Sequence, residues 1–204
     1  AAKQCPCFNI NFNDHAFWIG TSMLDYLIEF RSYGATISVE RRGLKESQLI
    51  HLPYYPILND SVDFQGFPFD RTGKIVVFSG GDTYKMMDET GTYFSNIDRI
   101  LEANKKVVFF IATAHTEILK EIFSKYKNHD RVFVSGMRHD IYQVFKNCDI
   151  YYGTYPCAGG LMSQYAAILG KPIVARVNHK IGLDEIDGIL NHNHEQQVGF
   201  TSNE

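Results

Sequence analysis

GTYPCAGGLMSQYAAILGKPIVA, Gly153 to Ala175, is the stretch from which the fold can be read. It opens as the end of a buried strand, passes through a glycine-bearing turn, and continues with Leu161, Met162, Tyr165, Ala166 and Leu169 at helical spacing. Gly170 stops that helix and Pro172 opens a second apolar run. A turn of this kind aims the unpaired N–H groups of a helix start at the carboxyl edge of a sheet, where the positive end of the helix dipole also lies. An anion fits there, and phosphate is the natural guest.

Outward from this stretch the alternation repeats. KIVVFS (Lys74 to Ser79), VVFFIA (Val107 to Ala112), RVFVSG (Arg131 to Gly136), DIYYG (Asp149 to Gly153) and KPIVA (Lys171 to Ala175) are short, nearly continuous apolar runs, as strands buried on both faces must be. Between them Phe94, Ile97, Ile100 and Leu101 mark one helix, Ile118, Leu119, Ile122, Phe123 and Tyr126 a second, and Ile141, Val144, Phe145 and Cys148 a third. Alternating strands and helices predict an α/β fold: a Rossmann-like, doubly wound parallel sheet with helices on both faces, over residues 71–204. Residues 1–70 read as the tail of a second domain and a linker. Phe8 to Phe12 and Tyr26 to Phe30 are strand-like, Arg31 to Leu52 is a helix or loop, and Asn59 to Gly73, rich in Pro, Gly and Asp, is an interdomain crossing.

In a doubly wound sheet the ligand sits outside the carboxyl ends of the strands, so four loops carry the candidate site. After the first strand, SGGDTYK offers Gly80 and Gly81 for close backbone approach and Lys85 as a point charge for phosphate; a mere tight turn is an equal reading. Its spacing is neither GxGxxG nor GxxxxGK[ST], which weighs against a dinucleotide or P-loop NTPase site. After the second strand, TAHT reads as a helix cap with Thr116 as N-cap. After the third, Met137 and Arg138 could border a base, and Arg138 is equally a solvated residue at a helix start. After the fourth, Tyr155, Pro156, Gly159 and Gly160, with Ser163 and Gln164 in the first helical turn, gather small residues and hydrogen-bonding side chains at one helix N-terminus.

Composition excludes several classes. At 204 residues and 45% hydrophobic, the chain can build a full core and part of another. A formal charge of −3 lacks the basic excess of a nucleic-acid footprint, so no nucleic-acid partner is expected. Neither an apolar run of about 18 residues nor a basic-then-apolar start is present, and a cytoplasmic location is expected. Cys5, Cys7, Cys148 and Cys157 do not form a dense framework and read as reduced thiols. The start without Met and the close at GFTSNE read as a piece of something longer.

From Lys74 to Ala175 the Gly-Gly loop after the first strand, with GG-x-x-S-x-x-A-x-x-x-G-K-P-I closing the pocket, resembles the donor-binding C-terminal domain of a GT-B fold glycosyltransferase. The resemblance covers the last two thirds of the chain. It implies a nucleoside diphosphate sugar donor, UDP favoured by frequency in the family, with Gly80, Gly81, Lys85, Gly159 and Gly160 at the diphosphate and the base near Met137 and Arg138. Where many members carry a ribose-binding Glu, this chain has Tyr165, beside Gln164. Asp14 to Gly20 resembles the closing part of the acceptor-side domain, with His15 facing the cleft.

The implied chemistry is displacement of a nucleoside diphosphate from the anomeric carbon by an acceptor hydroxyl. Helix dipole, glycine amides and a cation can stabilise the leaving charge without a metal, and the chain offers no DxD metal loop and no cofactor signature. His192 and His194 lack a third ligand and read as solvated. His15 beside Asp14 is the candidate base; next to Phe17 and Trp18 it also reads as a hydrogen-bonded core residue. The resemblance further implies a saccharide or lipid-linked acceptor, a role in surface polysaccharide or glycoconjugate synthesis, and peripheral association with the inner membrane face through regions outside this chain. Two alternatives stay open: a nucleotide-sugar epimerase, which needs paired carboxylates where Ser163 and Gln164 stand, and a non-enzymatic nucleotide-binding domain.

Overall fold

The structure is a computed structural model that describes residues 5–12, 17–52 and 55–176. The described residues divide between Tyr55 and Pro56 into two compact units.

The first unit holds a three-stranded parallel sheet of β1 (Phe8–Ile10), β2 (Tyr26–Glu29) and β3 (Leu49–His51), in that order. Between β2 and β3 runs α1 (Ser32–Glu40), which buries Tyr33 and Ile37 with Leu27 and Leu44. The first two strands and the helix match the sequence expectation. The third was missed, because LIH is too short to show a period and becomes a strand only by pairing with β2. On the α1 side Glu29 is fully buried and accepts hydrogen bonds from the Asn11 amide at 2.9 and 3.0 Å and from the Ser38 hydroxyl. On the other side Phe8 and Tyr26 stack at 5.1 Å, and Ile10, Ile28 and Ile50 form one row across the strands. Phe8, Ile10, Tyr26 and Ile50 of that face are 38–56% exposed.

The second unit is a five-stranded parallel sheet. Its strands are β4 (Ile75–Gly80), β5 (Val107–Ala112), β6 (Val132–Ser135), β7 (Ile150–Tyr152) and β8 (Ile173–Val174), in the order β6-β5-β4-β7-β8. Four helices alternate with them: α2 (Thr92–Ala103), α3 (Thr116–Phe123), α4 (Ile141–Asn147) and α5 (Gly160–Ile168). Side chains alternate along each strand, so β4 and β5 feed two cores. Val77, Phe109 and Ile111 pack with Tyr93, Ile97, Leu101, Leu119 and Phe123 of α2 and α3. Val76, Phe78, Val108 and Phe110 pack with Val144 and Phe145 of α4 and Tyr165 and Ala166 of α5. The chain winds outward from β4 to β6 and then returns to the other side of β4 as β7 and β8. The crevice of the doubly wound sheet therefore lies between the carboxyl ends of β4 and β7.

The stretch Asn59 to Gly73, expected to cross between domains, lies instead within the second unit, where residues 56–70 form a strap. The helices leave the β5–β6 side of the second core open, and Phe67 and Phe69 fill it, at 5.2 Å from Phe110 and 4.5 Å from Phe133. Polar ties hold the strap down along its length: Tyr165 donates to the Ile57 carbonyl (2.8 Å), Asp60 pairs with Lys146, and the Gln65 N–H donates to Asp140 (2.8 Å). The boundary moves from residue 70 to residue 55 because Pro, Gly and Asp mark irregular backbone but say nothing of the phenylalanines between them. Among the described residues no helix is long and apolar enough to cross a membrane, and no group of three or more His, Cys, Asp and Glu could hold a metal ion.

Candidate functional site

Two loops meet at the crevice. The first leaves β4 at Gly80, whose Cβ, were there one, would lie 2.8 Å from Cζ of Phe78. Gly80 is thus a packing glycine rather than the exposed approach expected for it. Gly81 carries the conformational demand, with φ +154 and its N–H donated to the Ala112 carbonyl (3.1 Å). The following turn, Thr83–Met86, is fixed from below by buried Met86 and by the Thr83 hydroxyl, 2.9 Å from that of Thr113 after β5. On this anchored turn stands Lys85, partly exposed, with Nζ 6.0 Å from the Tyr84 ring.

The second loop runs from Gly153 to Gly159. Gly153 lets β7 and β8 close, since a Cβ there would meet that of Ala175 at 2.9 Å. Thr154 is buried, and its hydroxyl donates to the Cys157 carbonyl (2.6 Å), bending the loop back. A cis peptide joins Tyr155 to Pro156. The loop touches the first one at two points: a Cβ on Gly81 would lie 3.5 Å from Thr154, and the Cys157 N–H donates to the Lys85 carbonyl (3.5 Å). Gly159 then caps α5 without a side-chain hydrogen bond, and Gly160 begins it. A Cβ on Gly159 would come within 3.3 Å of the Tyr151 hydroxyl, so the helix start sits directly on the sheet. The opening N–H groups of α5 have no side-chain cap, which leaves donors and the positive dipole end at the crevice.

Of the residues singled out in the sequence, Gly81, Lys85, Tyr155, Pro156, Gly159 and Gly160 are brought together. Ser163 is not available there: it is 1% exposed, and its hydroxyl belongs to the interior beside Tyr151, whose phenol burial pushes far above the usual range. Gln164 is half-buried with its amide oxygen turned inward. Met137 is 74% exposed after β6, two strands and so about 10 Å from β4. Arg138 is a structural residue. Its guanidinium forms two 2.6 Å hydrogen bonds to Asp140, a third to the Gly66 carbonyl (3.0 Å), and lies over Phe110 at 5.3 Å. Burial alone would raise the Asp140 carboxyl, but Arg138 and the Gln65 N–H hold it below the ordinary carboxylate value. Tyr165, which stands in place of the ribose-binding Glu of the resembled family, is spent on the strap through Ile57 and stacks on Phe145 at 5.4 Å. Thr116 is the first residue of α3 rather than its cap, which is His115. His15, His192 and His194 lie outside the described residues.

One crevice residue escaped the sequence reading. Arg176 follows β8 and holds its guanidinium 5.2 Å from the centre of the Tyr155 ring. Its signal was positional: it is the first charged residue past the carboxyl end of KPIVA, where ligands of such sheets bind.

Solved structures share the fold that carries this crevice. HepE from Anabaena, in complex with UDP-glucose, matches with a TM-score of 0.57 at 17% identity, over 76% of this chain and 45% of that one. The chain has the fold of the GT-B glycosyltransferases. WaaG, a glycosyltransferase involved in lipopolysaccharide biosynthesis, matches with 0.57 at 13% identity, over 73% and 43%. TarM from S. aureus, in a complex that includes UDP, matches with 0.58 at 10% identity, over 82% and 36%. The chain thus spans less than half the length of these GT-B structures. No family model matches it, and no curated protein matches it in sequence.

Proposed function

We propose that this chain is the donor-binding part of a glycosyltransferase that moves a sugar from a nucleoside diphosphate sugar to an acceptor hydroxyl without a metal ion. The observation that carries this reading is the junction of two glycine loops at the crevice. Gly81, Lys85 and the uncapped start of α5 converge there, as a diphosphate requires. Similarity to HepE, crystallised with UDP-glucose, and to TarM, crystallised with UDP, favours uridine as the base. Similarity to WaaG, a glycosyltransferase involved in lipopolysaccharide biosynthesis, favours a product in surface polysaccharide or glycoconjugate synthesis; we further propose a saccharide or lipid-linked acceptor met at the inner face of a membrane.

In this reading negative charge grows on the leaving diphosphate as the glycosidic bond breaks. The N–H donors of α5, its dipole and the Lys85 ammonium meet that charge already oriented, so no reorganisation is needed at the moment of reaction. Ribose is held without a charged acceptor at residue 165, because Tyr165 is turned to the strap.

The test is a panel of UDP-, GDP-, ADP- and CMP-sugars titrated against the chain by calorimetry and thermal shift, with and without EDTA. One intact nucleoside diphosphate sugar should bind and raise the melting temperature in EDTA. Failure of every nucleotide to bind, or binding only with a divalent cation, would overturn the proposal.

A further inference from the structure

We propose that Arg176 is a second cation for the diphosphate, placed across the crevice loop from Lys85. The inference rests on the preceding reading that the crevice takes a nucleoside diphosphate. Register fixes where Arg176 stands. Tyr152 pairs with Val174, and the Gly153 N–H donates to the Val174 carbonyl at 2.8 Å, so the two residues after Val174 run alongside the start of the loop Gly153–Gly159. Lys85 sits at the loop's other side, where its carbonyl accepts the Cys157 N–H. The loop is therefore bracketed by one cation on the β4 side and one on the β8 side.

Among the described residues neither cation is neutralised: neither forms an ion pair with a carboxylate, whereas Arg138, Arg71 and Lys146 of the same unit all do. Arg176 instead rests on the Tyr155 ring, which limits its rotamers and leaves the in-plane N–H donors of an exposed guanidinium for an outside partner. That fork suits a phosphate bidentately, while Lys85 offers a point charge. A diphosphate presents two phosphate groups, one for each cation, whereas a monophosphate presents one, which Lys85 and the start of α5 engage and which leaves Arg176 unmet. The pair thus selects nucleoside diphosphates over monophosphates, with Tyr155 as the positioning residue for Arg176.

UDP and UMP are titrated in parallel against the wild-type chain, Arg176→Ala, Arg176→Lys and Tyr155→Ala. The wild type should prefer UDP. Arg176→Ala should weaken UDP by about ten-fold or more and leave UMP within about two-fold, so that the preference collapses. Arg176→Lys should recover part of the loss, and Tyr155→Ala should give a smaller loss of the same selectivity. An unchanged melting temperature without ligand shows that Arg176→Ala remains folded. If the wild type binds UDP and Arg176→Ala binds it equally well, or if UDP and UMP weaken together, the role of Arg176 is refuted while the donor site stands. If the wild type binds neither nucleotide, the donor site falls and this inference with it.

Discussion

Both sheets among the described residues are parallel, but there only the five-stranded one is clothed on both faces. In β4 and β5 both faces of each strand are buried against helices or the strap, so IVVFSG and VVFFIA are almost continuously apolar. In the three-stranded sheet α1 covers Leu27 and Glu29, while Phe8, Ile10, Tyr26 and Ile50 on the opposite face meet water. The same strand geometry thus stands on very different energetic footings. Burial of a large side chain is worth about 1.5–3 kcal/mol relative to exposure, and the second unit collects that gain on two faces while the first collects it on one. The crevice benefits directly: Gly81, Lys85 and α5 hang on strands that cannot shift without opening a core.

The sharpest way to break this comparison is to truncate one residue in each sheet. Phe78→Ala, at a fully buried position, should cost about 3–5 kcal/mol of the second unit's stability. Ile10→Ala, at 56% exposure, should cost less than about 1 kcal/mol. Urea unfolding followed by two probes separates the units, because the chain's single tryptophan, Trp18, belongs to the first and eight of its 12 tyrosines to the second, which therefore dominates the tyrosine signal. A Trp18 transition that moves with Phe78→Ala as far as the tyrosine signal does would show one cooperative body rather than two.

A buried ion pair offers the next largest effect. Asp140→Asn leaves the Arg138 guanidinium, whose side chain is 9% exposed, without its counter-charge, at a cost of about 3 kcal/mol. Because the Asp140 carboxyl is held below its ordinary value of 3.8, its contribution is fully present above that value and is lost as pH falls through the lower folded one. Melting temperatures of the wild type should therefore fall below about pH 4, and that part of the slope should vanish in Asp140→Asn. Limited proteolysis should then cut within residues 56–70, since Asp140 holds both Arg138 and the Gln65 N–H.

The fold of the second unit was legible because strands buried on both faces write themselves as apolar runs, and because α2 and α3 carry clear helical stripes. The strap was not legible, since Phe67 and Phe69, with Phe64 packed edge-on against Phe67, are spaced by Gly, Pro and polar residues and have no period; only the gap they fill explains them. The same holds for Arg138. A sequence shows a cation after a strand, but not that Asp140 two residues on and the Gly66 carbonyl in the strap will consume its donors. Gly159 and Gly160 were readable as a turn before a helix. Gly80 and Gly81 were readable as a pair, yet their roles differ for reasons of packing: one has Phe78 against it and the other has the backbone that only glycine adopts freely. Gly81→Ala should accordingly lower stability by about 1–3 kcal/mol through strain, and a melting temperature equal to that of the wild type would deny that the loop holds φ +154.

The smallest expected change sharpens the comparison from the side of the open sheet. Ile10→Ser removes one apolar side chain from a face that is already half in water, so the transfer free energy lost is a fraction of that for a core residue. Stability of the first unit should change by less than about 1 kcal/mol by the Trp18 transition, while binding of a hydrophobic dye to the folded chain should drop. The two signs are opposed by construction: a buried face would lose stability without a drop in dye binding, and an open face loses dye binding at little cost in stability. A loss above about 2 kcal/mol would mean that Ile10 is covered in solution, and that both sheets of the chain are clothed alike.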